Sequence, residues 1–226
     1  KAETEPAEWP TVTIQLPVFN EQFVVERLID TICVIDYPPS KLEIQVLDDS
    51  TDETTGIARA CVDKHQARGV EIQYLHRPDR SGFKAGALEE GLKQSHGEFV
   101  AIFDADFIPP PDILKRTIPG FADAGISMVQ TRWDHLNRDY SLLTQVQAMM
   151  LDGHFVMEHG ARHRSGRCYN FNGTAGIWRR SSIAEAGGWQ HDTLTEDLDL
   201  SYRAQLAGQR FLFVDDVVSP AELPVD

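Results

Sequence analysis

The chain has 226 residues, of which 42% are hydrophobic, so it can bury a full core and is most simply one large domain. Its formal net charge is −14. Such a charge repels a nucleic-acid backbone, and no run of Lys and Arg with interleaved aromatics offsets it, so we expect no nucleic-acid partner. The three cysteines, Cys33, Cys61 and Cys168, are far apart and odd in number. They exclude a complete disulfide framework and any C-x-x-C metal clip, and favour a reducing compartment.

The first hundred residues alternate between predicted strands and predicted helices. Strands are predicted at 12–18, 43–47 and 70–75. Helical patterns follow them, from residue 19 to the prolines at 38 and 39, then at 55–66 and 86–95. This alternation predicts a doubly wound, mostly parallel sheet of the α/β class. Asn20 is predicted to cap the first helix, and Ser50 or Thr51 the second.

The strand predicted at 99–103 ends in two carboxylates. Its five apolar residues, rich in Val, Ile and Phe, are typical of a strand buried on both faces. Asp104 and Asp106 follow at the carboxyl end, where open α/β sheets bind their ligands. Two carboxylates so placed can turn toward one hard cation and the phosphate oxygens that it carries. A solvated acidic turn would be the simpler interpretation of an isolated Asp-x-Asp.

Two other strand ends carry polar groups that could contact a nucleotide. The second strand runs into Asp48 and Asp49, and a carboxylate there could accept from an imide N–H of a base. The loop at 76–88 concentrates positive charge before a helix start with free N–H groups. Arg80 or Lys84 could bind an anion there, although both could simply balance an acidic surface.

The second half of the chain is less regular. A helix is predicted at 112–122, a strand at 126–131 and a last strand at 211–214. The longest helical segment, 141–159, has a broad apolar face, for which we favour burial in the core over docking on a membrane surface or partner helix. This face comprises Leu142, Leu143, Val146, Met149 and Met150.

Two further segments could serve a site. The glycines at 173 and 176 allow a backbone to approach something flat or bulky. Thr195 is a plausible N-cap, with Glu196 and Asp197 in the first helical turn, where the helix dipole favours the ionised carboxylate. An ionised acid facing a site can act as a general base. Acids that only complement the dipole are the alternative.

Five segments together resemble the family-2 inverting glycosyltransferases, which use nucleotide sugars and have a GT-A fold. They are Pro17-Val18-Phe19-Asn20-Glu21, Asp48-Asp49-Ser50, Lys84-Ala85-Gly86-Ala87-Leu88, Asp104-Ala105-Asp106 and Thr195-Glu196-Asp197. They occur in the family's order and cover nearly the whole chain. The stretches 171–180 and 194–203 look closest to the cellulose-synthase-like, processive β-glycan synthases, including the glucomannan-synthase branch.

This resemblance implies roles for individual residues. Asp48 and Asp49 would bind the base and ribose, assisted by Phe19 and Glu21. Asp104 and Asp106 would hold a divalent cation, Mg²⁺ or Mn²⁺, on the donor diphosphate. Asp197 would be the catalytic base that deprotonates the acceptor hydroxyl. The remaining substrate-binding residues would be Lys84 near the diphosphate or sugar, Glu196 beside the catalytic base Asp197, and Asn172, Gly173 and Thr174 at the acceptor end.

The implied activity is transfer of a hexose, with inversion, from a UDP-glucose-type or GDP-mannose-type donor to a glycan acceptor, giving a β-linked polysaccharide. A metal-dependent nucleotidyltransferase is one alternative, but it would attack the α-phosphate and leave Asp197 without a role. A non-catalytic nucleotide-sugar-binding module of a membrane synthase complex is another.

The domain organisation follows from the same resemblance. We expect a linker at 1–10 and a single GT-A domain at 11–226, with a nucleotide-binding half at 11–107 and an acceptor and catalytic-base half at 108–226. Processive synthases carry a Gln-x-x-Arg-Trp motif and membrane helices after the catalytic base, and this sequence stops before any such motif. We therefore expect a catalytic domain from the cytoplasmic face of a multi-span membrane protein, lacking its transmembrane region and not necessarily active alone.

Overall fold

The computed structural model describes residue 6 and residues 8–225, so the predicted linker at 1–10 lies largely outside the described residues. The strands are β1 Val12–Val18, β2 Leu42–Asp48, β3 Ile72–His76, β4 Phe99–Ile102, β5 Ile126–His135, β6 Gly176–Arg179 and β7 Arg210–Ala221. The helices are α1 Val25–Ile32, α2 Thr54–Gln66, α3 Phe83–Gln94, α4 Ile113–Thr117, α5 Leu142–Asp152, α6 Gly160–Arg164, α7 Arg180–Glu185 and α8 Glu196–Leu206. Two 3-10 turns, Pro39–Lys41 and Ile118–Ala122, and a π-helical segment, Gly153–His159, complete the set.

The strands form one sheet in the order β3-β2-β1-β4-β6-β5-β7. The first four pair in parallel, as do β5 and β7, whereas β6 is antiparallel to both of its neighbours. The prediction of a mostly parallel α/β sheet is therefore confirmed. Chain order reverses between β1 and β4, and a crevice for a ligand forms at such a switch point.

Helices cover both faces of the sheet. One core contains α1, α2 and α4, and the other contains α3, α8 and the π-helical segment. Strand β4 lies between them with all four residues buried, which explains its uninterrupted apolar sequence. Because β1, β2 and β4 are parallel neighbours, the residues that follow them meet at one edge of the sheet.

The caps predicted for α1 and α2 were wrong, because the Asn20 and Ser50 side chains bind between loops instead. Asn20 has a positive φ of 57°, and α1 begins only at Val25. The Asn20 side chain accepts from the N–H of Thr51 at 2.9 Å, and its own N–H donates to Ser50 Oγ at 2.8 Å. These bonds tie the loop after β1 to the loop after β2. At α2 the N–H of Thr54 donates to Asp52 instead, at 2.9 Å.

The long helical segment also differs from the prediction. It is continuous from α5 through the π-helical turn into α6, but the core takes Thr144 and Ala148 from α5. The apolar side chains expected in the core are exposed instead: Leu142, Leu143, Val146, Met149 and Met150 have exposed fractions of 42% to 77%. Burial of this face in the domain core was therefore a wrong expectation. Within the part of the chain that the structure describes, no helix is long and apolar enough to cross a bilayer.

Candidate active site

A cleft of about 660 Å³ opens at the carboxyl edge of β1, β2 and β4. It lies where chain order reverses in the sheet, as expected for a ligand site in this class of fold. Six of its lining residues are among the site residues predicted from the sequence, namely Phe19, Glu21, Asp49, Lys84, Asp104 and Asp106. Residues separated by up to 87 positions along the chain therefore form one wall.

Asp104 and Asp106 lie in the cleft with one ammonium group against them. Lys84 Nζ donates to Asp104 Oδ1 at 2.5 Å, and the backbone N–H of Asp104 donates to Thr174 Oγ1 at 2.8 Å. Burial and the charge of Asp104 raise the pKa of Asp106. Burial raises the pKa of Glu21 too, followed by the charges of Asp106 and Asp104. Glu21, Asp104 and Asp106 thus lie close together in the cleft, with the Lys84 ammonium group bound to one of them.

This crowding fits a divalent cation. Mg²⁺ and Mn²⁺ prefer carboxylate oxygens, and Asp104 and Asp106 offer such oxygens beside each other at a solvent-accessible wall. A cation there would relieve the repulsion that holds the pKa of Asp106 up. The residues present are therefore suited to such an ion.

The two aspartates that follow β2 have different surroundings. Asp49 lines the cleft and forms a bidentate ion pair with Arg77. The Nε of Arg77 donates to Oδ1 at 2.7 Å, and its Nη2 donates to Oδ2. Asp48 is fully buried behind the wall and accepts from the Tyr74 hydroxyl at 2.6 Å and from the Ser50 N–H at 2.9 Å. Asp49 is therefore exposed to a ligand in the cleft, whereas Asp48 braces the loop that carries it.

Removing the Arg77 side chain is expected to destabilise the fold. The Arg77→Ala variant leaves the Asp49 carboxylate, whose side chain is 4% exposed, without its counter-ion. Loss of one partner of a buried pair costs about 3–5 kcal/mol of unfolding free energy, measurable by urea denaturation. Arg210→Ala is the matched control, because its partner Asp123 is exposed and such pairs are worth about 0–1 kcal/mol. Equal losses in the two variants would contradict the assignment.

The first turn of α8 brings Asp197 to the same region. Burial raises the pKa of Asp197, and the charge of Glu196, the residue before it, raises it further. Thr195 is the N-cap residue as predicted, although its side chain makes no capping hydrogen bond. A Cβ added to Gly173, whose φ is 76°, would lie 3.2 Å from Asp197 Oδ2 and 3.5 Å from Lys84 Nζ. Asp197, Lys84 and Gly173 therefore converge.

The segment before β6 supports this convergence. The positive φ of Gly173 is strained for other residues, and the absence of a side chain leaves the space between Asp197 and Lys84 open. Thr174 is buried and holds the backbone of Asp104. Asn172 lies further away, with its Oδ1 3.1 Å from His154 Nε2. The structure thus brings Gly173 and Thr174 to the centre and leaves Asn172 facing the π-helical segment.

Three polar residues of the cleft, Arg80, Asn137 and Glu222, were not among the site residues predicted from the resemblance. The Arg80 guanidinium lies 3.4 Å from the centroid of the Phe19 ring, a cation–π contact within the cleft wall. Asn137 holds the backbone of Leu223 with two hydrogen bonds of 2.7 and 2.8 Å. The adjacent Glu222 lines the cleft and donates its N–H to the Asp106 carbonyl at 3.3 Å. Only Arg80 had a sequence signal, in its basic loop.

The sheet order and the carboxylate pair at the switch point of the sheet match the GT-A fold of solved glycosyltransferases. The mannosyltransferase PcManGT from Pyrobaculum calidifontis, solved with GDP-Man and Mn²⁺, superposes with a TM-score of 0.79 at 26% identity, over 98% of this chain and 59% of that one. Staphylococcus aureus TarS 1–349 in complex with UDP has the same fold, with a TM-score of 0.70 at 18% identity, over 94% of this chain and 60% of that one.

The chain belongs to the glycosyltransferase like family 2, whose profile matches residues 10–222. Glucomannan 4-beta-mannosyltransferase 2 of Arabidopsis thaliana is 46% identical over 221 residues, which are 96% of this chain and 41% of that protein. Glucomannan 4-beta-mannosyltransferase 1 of Oryza sativa subsp. japonica is 45% identical over 221 residues, 96% of this chain and 42% of that protein. The chain thus spans about two fifths of the length of these curated relatives.

Proposed function

We propose that the protein transfers a hexose, with inversion, from a nucleoside-diphosphate sugar to a hydroxyl of a glycan, giving a β-linked polysaccharide. The observation that carries this proposal is the convergence of Asp197 and Lys84 on Gly173, with Lys84 bonded to Asp104. A single base close to a diphosphate-binding wall suits a one-step displacement, which needs no covalent nucleophile.

We assign roles in this reaction to the carboxylate pair and to the residues that converge on Gly173. Asp104 and Asp106 would hold a Mg²⁺ or Mn²⁺ ion, which supplies neutralisation of the charge that develops on the departing diphosphate. Lys84 moves its ammonium group from Asp104 toward the diphosphate. Asp197 takes the proton from the acceptor hydroxyl, and Gly173 leaves room for that hydroxyl.

The base half of the donor fits the wall on the other side of the cleft. Asp49, fixed by Arg77, presents carboxylate lone pairs for an N–H of the base, and Phe19 with Arg80 forms a flat surface against which the base or ribose packs. Glu21 accepts from a ribose hydroxyl. Glu196 stays at the acceptor side beside Asp197, and Asn172 lies at the outer end of that side.

The donor that we propose is GDP-mannose, with UDP-glucose as the second substrate to test. Support comes from the names of two kinds of relative. The curated relatives at 45–46% identity are called glucomannan 4-beta-mannosyltransferases, and the solved neighbour at 26% identity binds GDP-Man. The product would then be a β-1,4-linked mannan or glucomannan.

We further propose that residues 11–226 work as one domain, with a donor half at 11–107 and an acceptor half at 108–226. Strands of both halves share the same sheet, which supports a single domain in which both halves take part. In the full-length protein this domain would lie at the cytoplasmic face of a membrane. The membrane segments would belong to parts of that protein outside residues 1–226.

The test is turnover by the full-length protein in membranes, with radiolabelled GDP-mannose or UDP-glucose and Mn²⁺. We expect release of GDP and formation of a product that endo-β-mannanase digests. Release of mannose 1-phosphate or glucose 1-phosphate, which leaves when the α-phosphate of the donor is attacked, would identify a nucleotidyltransferase, and saturable donor binding without turnover would identify a binding module. Either result would overturn the proposal.

The pH dependence of turnover provides a second check. Because burial raises the pKa of Asp197, the base becomes protonated at a higher pH than an exposed aspartate, whose pKa is about 3.9. The turnover number is therefore expected to fall as pH decreases through that raised pKa. Donor binding measured at the same pH values separates this effect from protonation of Asp106. An acid limb at the pKa of an exposed aspartate would contradict the role of Asp197.

A further inference from the structure

A second cluster of metal-binding side chains lies where α1 packs against α2, away from the cleft. Asp30 is on α1, and Cys61 and His65 are one turn apart on α2. One ligand atom from each lies within 4.8 Å of the other two. Asp30 Oδ1 is 2.6 Å from His65 Nε2 and 3.7 Å from Cys61 Sγ. The three atoms are therefore close enough for a single cation to contact all of them after small side-chain adjustments.

The chemistry of this cluster differs from that of the cleft. A thiol, an imidazole and a carboxylate are the donor set of Zn²⁺ and similar borderline cations, which bind four ligands in a tetrahedron. Residues at i and i+4 of a helix share one face, so Cys61 and His65 can bind the same ion. The carboxylate pair in the cleft offers only oxygen ligands, which suit hard cations such as Mg²⁺ or Mn²⁺.

The surroundings leave room for both entry and a fourth ligand. Cys61 and His65 are 3% and 5% exposed, whereas the Asp30 side chain is 44% exposed. A cation could therefore enter beside Asp30 and keep a water on that side. Lys64 Nζ, 3.0 Å from Asp30 Oδ1, is the present counter-ion, and its side chain is 38% exposed, so it can turn away to Glu26, already 3.7 Å distant.

A simple ion pair explains only part of this arrangement. His65 and Lys64 would neutralise Asp30 without any need for Cys61, yet the thiol also faces the same carboxylate oxygen. The Cys61 sulfur would bind a metal as the thiolate, so the cation replaces the proton of the thiol. Cation binding would release that proton to water.

We propose that Asp30, Cys61 and His65 bind a Zn²⁺-class cation, with water as the fourth ligand. Such an ion fastens α1 to α2. These helices follow the loops that carry Glu21 and Asp49 to the cleft, so the ion would stiffen the wall that faces the donor.

The experiment is a Co²⁺ titration of the purified metal-free protein, followed by absorption spectroscopy. We expect a sulfur-to-cobalt charge-transfer band together with the strong visible bands of tetrahedral Co²⁺. The Cys61→Ser variant should lose the charge-transfer band. Both Cys61→Ser and His65→Asn should bind Co²⁺ about 10- to 100-fold more weakly, or weaker still. Replacing a residue outside the coordination sphere already lowers metal affinity by that factor. Cys168→Ser, which changes an exposed cysteine elsewhere, should behave as the wild type.

Three results would overturn the proposal. They are weak bands typical of octahedral oxygen ligation, an unchanged charge-transfer band in Cys61→Ser, or loss of that band in Asp104→Asn/Asp106→Asn. A measurement on the wild type covers the possibility that a variant does not fold. Zn²⁺ should raise the melting temperature of the wild type, and that of Asp104→Asn/Asp106→Asn equally, because a ligand that binds the folded state stabilises it. An unchanged melting temperature would also refute the site.

Discussion

Replacing Asp197 by asparagine is expected to reduce turnover by about 10²- to 10⁴-fold, which is the usual contribution of a general base. The amide has nearly the shape of the carboxylate but cannot accept the acceptor's proton. Donor affinity should stay within a few-fold of the wild type, since the groups proposed to bind the donor, Lys84 and Asp104, remain. Steady-state kinetics on the full-length protein and calorimetry with GDP and Mn²⁺ measure the two effects.

Asp192→Asn is the matched control for this variant. Asp192 is exposed in the segment just before α8, so the same chemical change there should leave turnover unaltered. Wild-type turnover in Asp197→Asn would show that another group is the base. A parallel loss of donor binding would show instead that Asp197 acts through the shape of the cleft.

The second large effect is expected for the carboxylate pair. Asp104→Asn and Asp106→Asn should each abolish the Mn²⁺-dependent part of nucleotide binding. They should also lower turnover by about 10³-fold or more, because a cation on the diphosphate supplies several kcal/mol of charge stabilisation. Nucleotide titrations with and without Mn²⁺ give the binding effect directly. Metal-dependent binding equal to that of the wild type would remove the pair from the proposed site.

The same Asp106→Asn change should make the metal-free protein more stable. Since the folded state raises the pKa of Asp106, the contribution of this acid to stability is greatest below its unfolded pKa and is lost as pH rises through the folded pKa. At neutral pH the ionised acid therefore costs stability, which the amide recovers. We expect the melting temperature to rise by about 1–4 °C. A fall would contradict this electrostatic account.

The sequence predicted the sheet and most of the cleft because both depend on local pattern. Short apolar segments predicted β1, β2 and β4, acids follow the last two directly, and parallel neighbours bring the strand ends together. Asp197 was found from its position in the first turn of α8. Its approach to Lys84 across Gly173 depends on side-chain packing between distant segments, which no local pattern encodes.

The errors have physical causes of the same kind. Asn20 is a residue type that is favoured at helix N-caps, but it binds Ser50 and Thr51 in the loop after β2 instead. The sequence could not distinguish the surroundings of Asp48 from those of Asp49: Tyr74 and Ser50 bind Asp48 behind the wall, and its predicted contact with the nucleotide stays a prediction. On α5, amphipathic spacing predicted which residues share a face, but not whether that face meets the core or water.

The bond between Lys84 and Asp104 has a consequence for the order in which ligands are captured. A cation arriving alone must compete with an ammonium group that is already bound, whereas a cation arriving with a nucleotide offers that ammonium a phosphate in exchange. Metal and nucleotide are therefore expected to bind cooperatively, each strengthening the other by the same factor. The protein would capture the metal–nucleotide complex from solution, and departure of either component after transfer would loosen its companion.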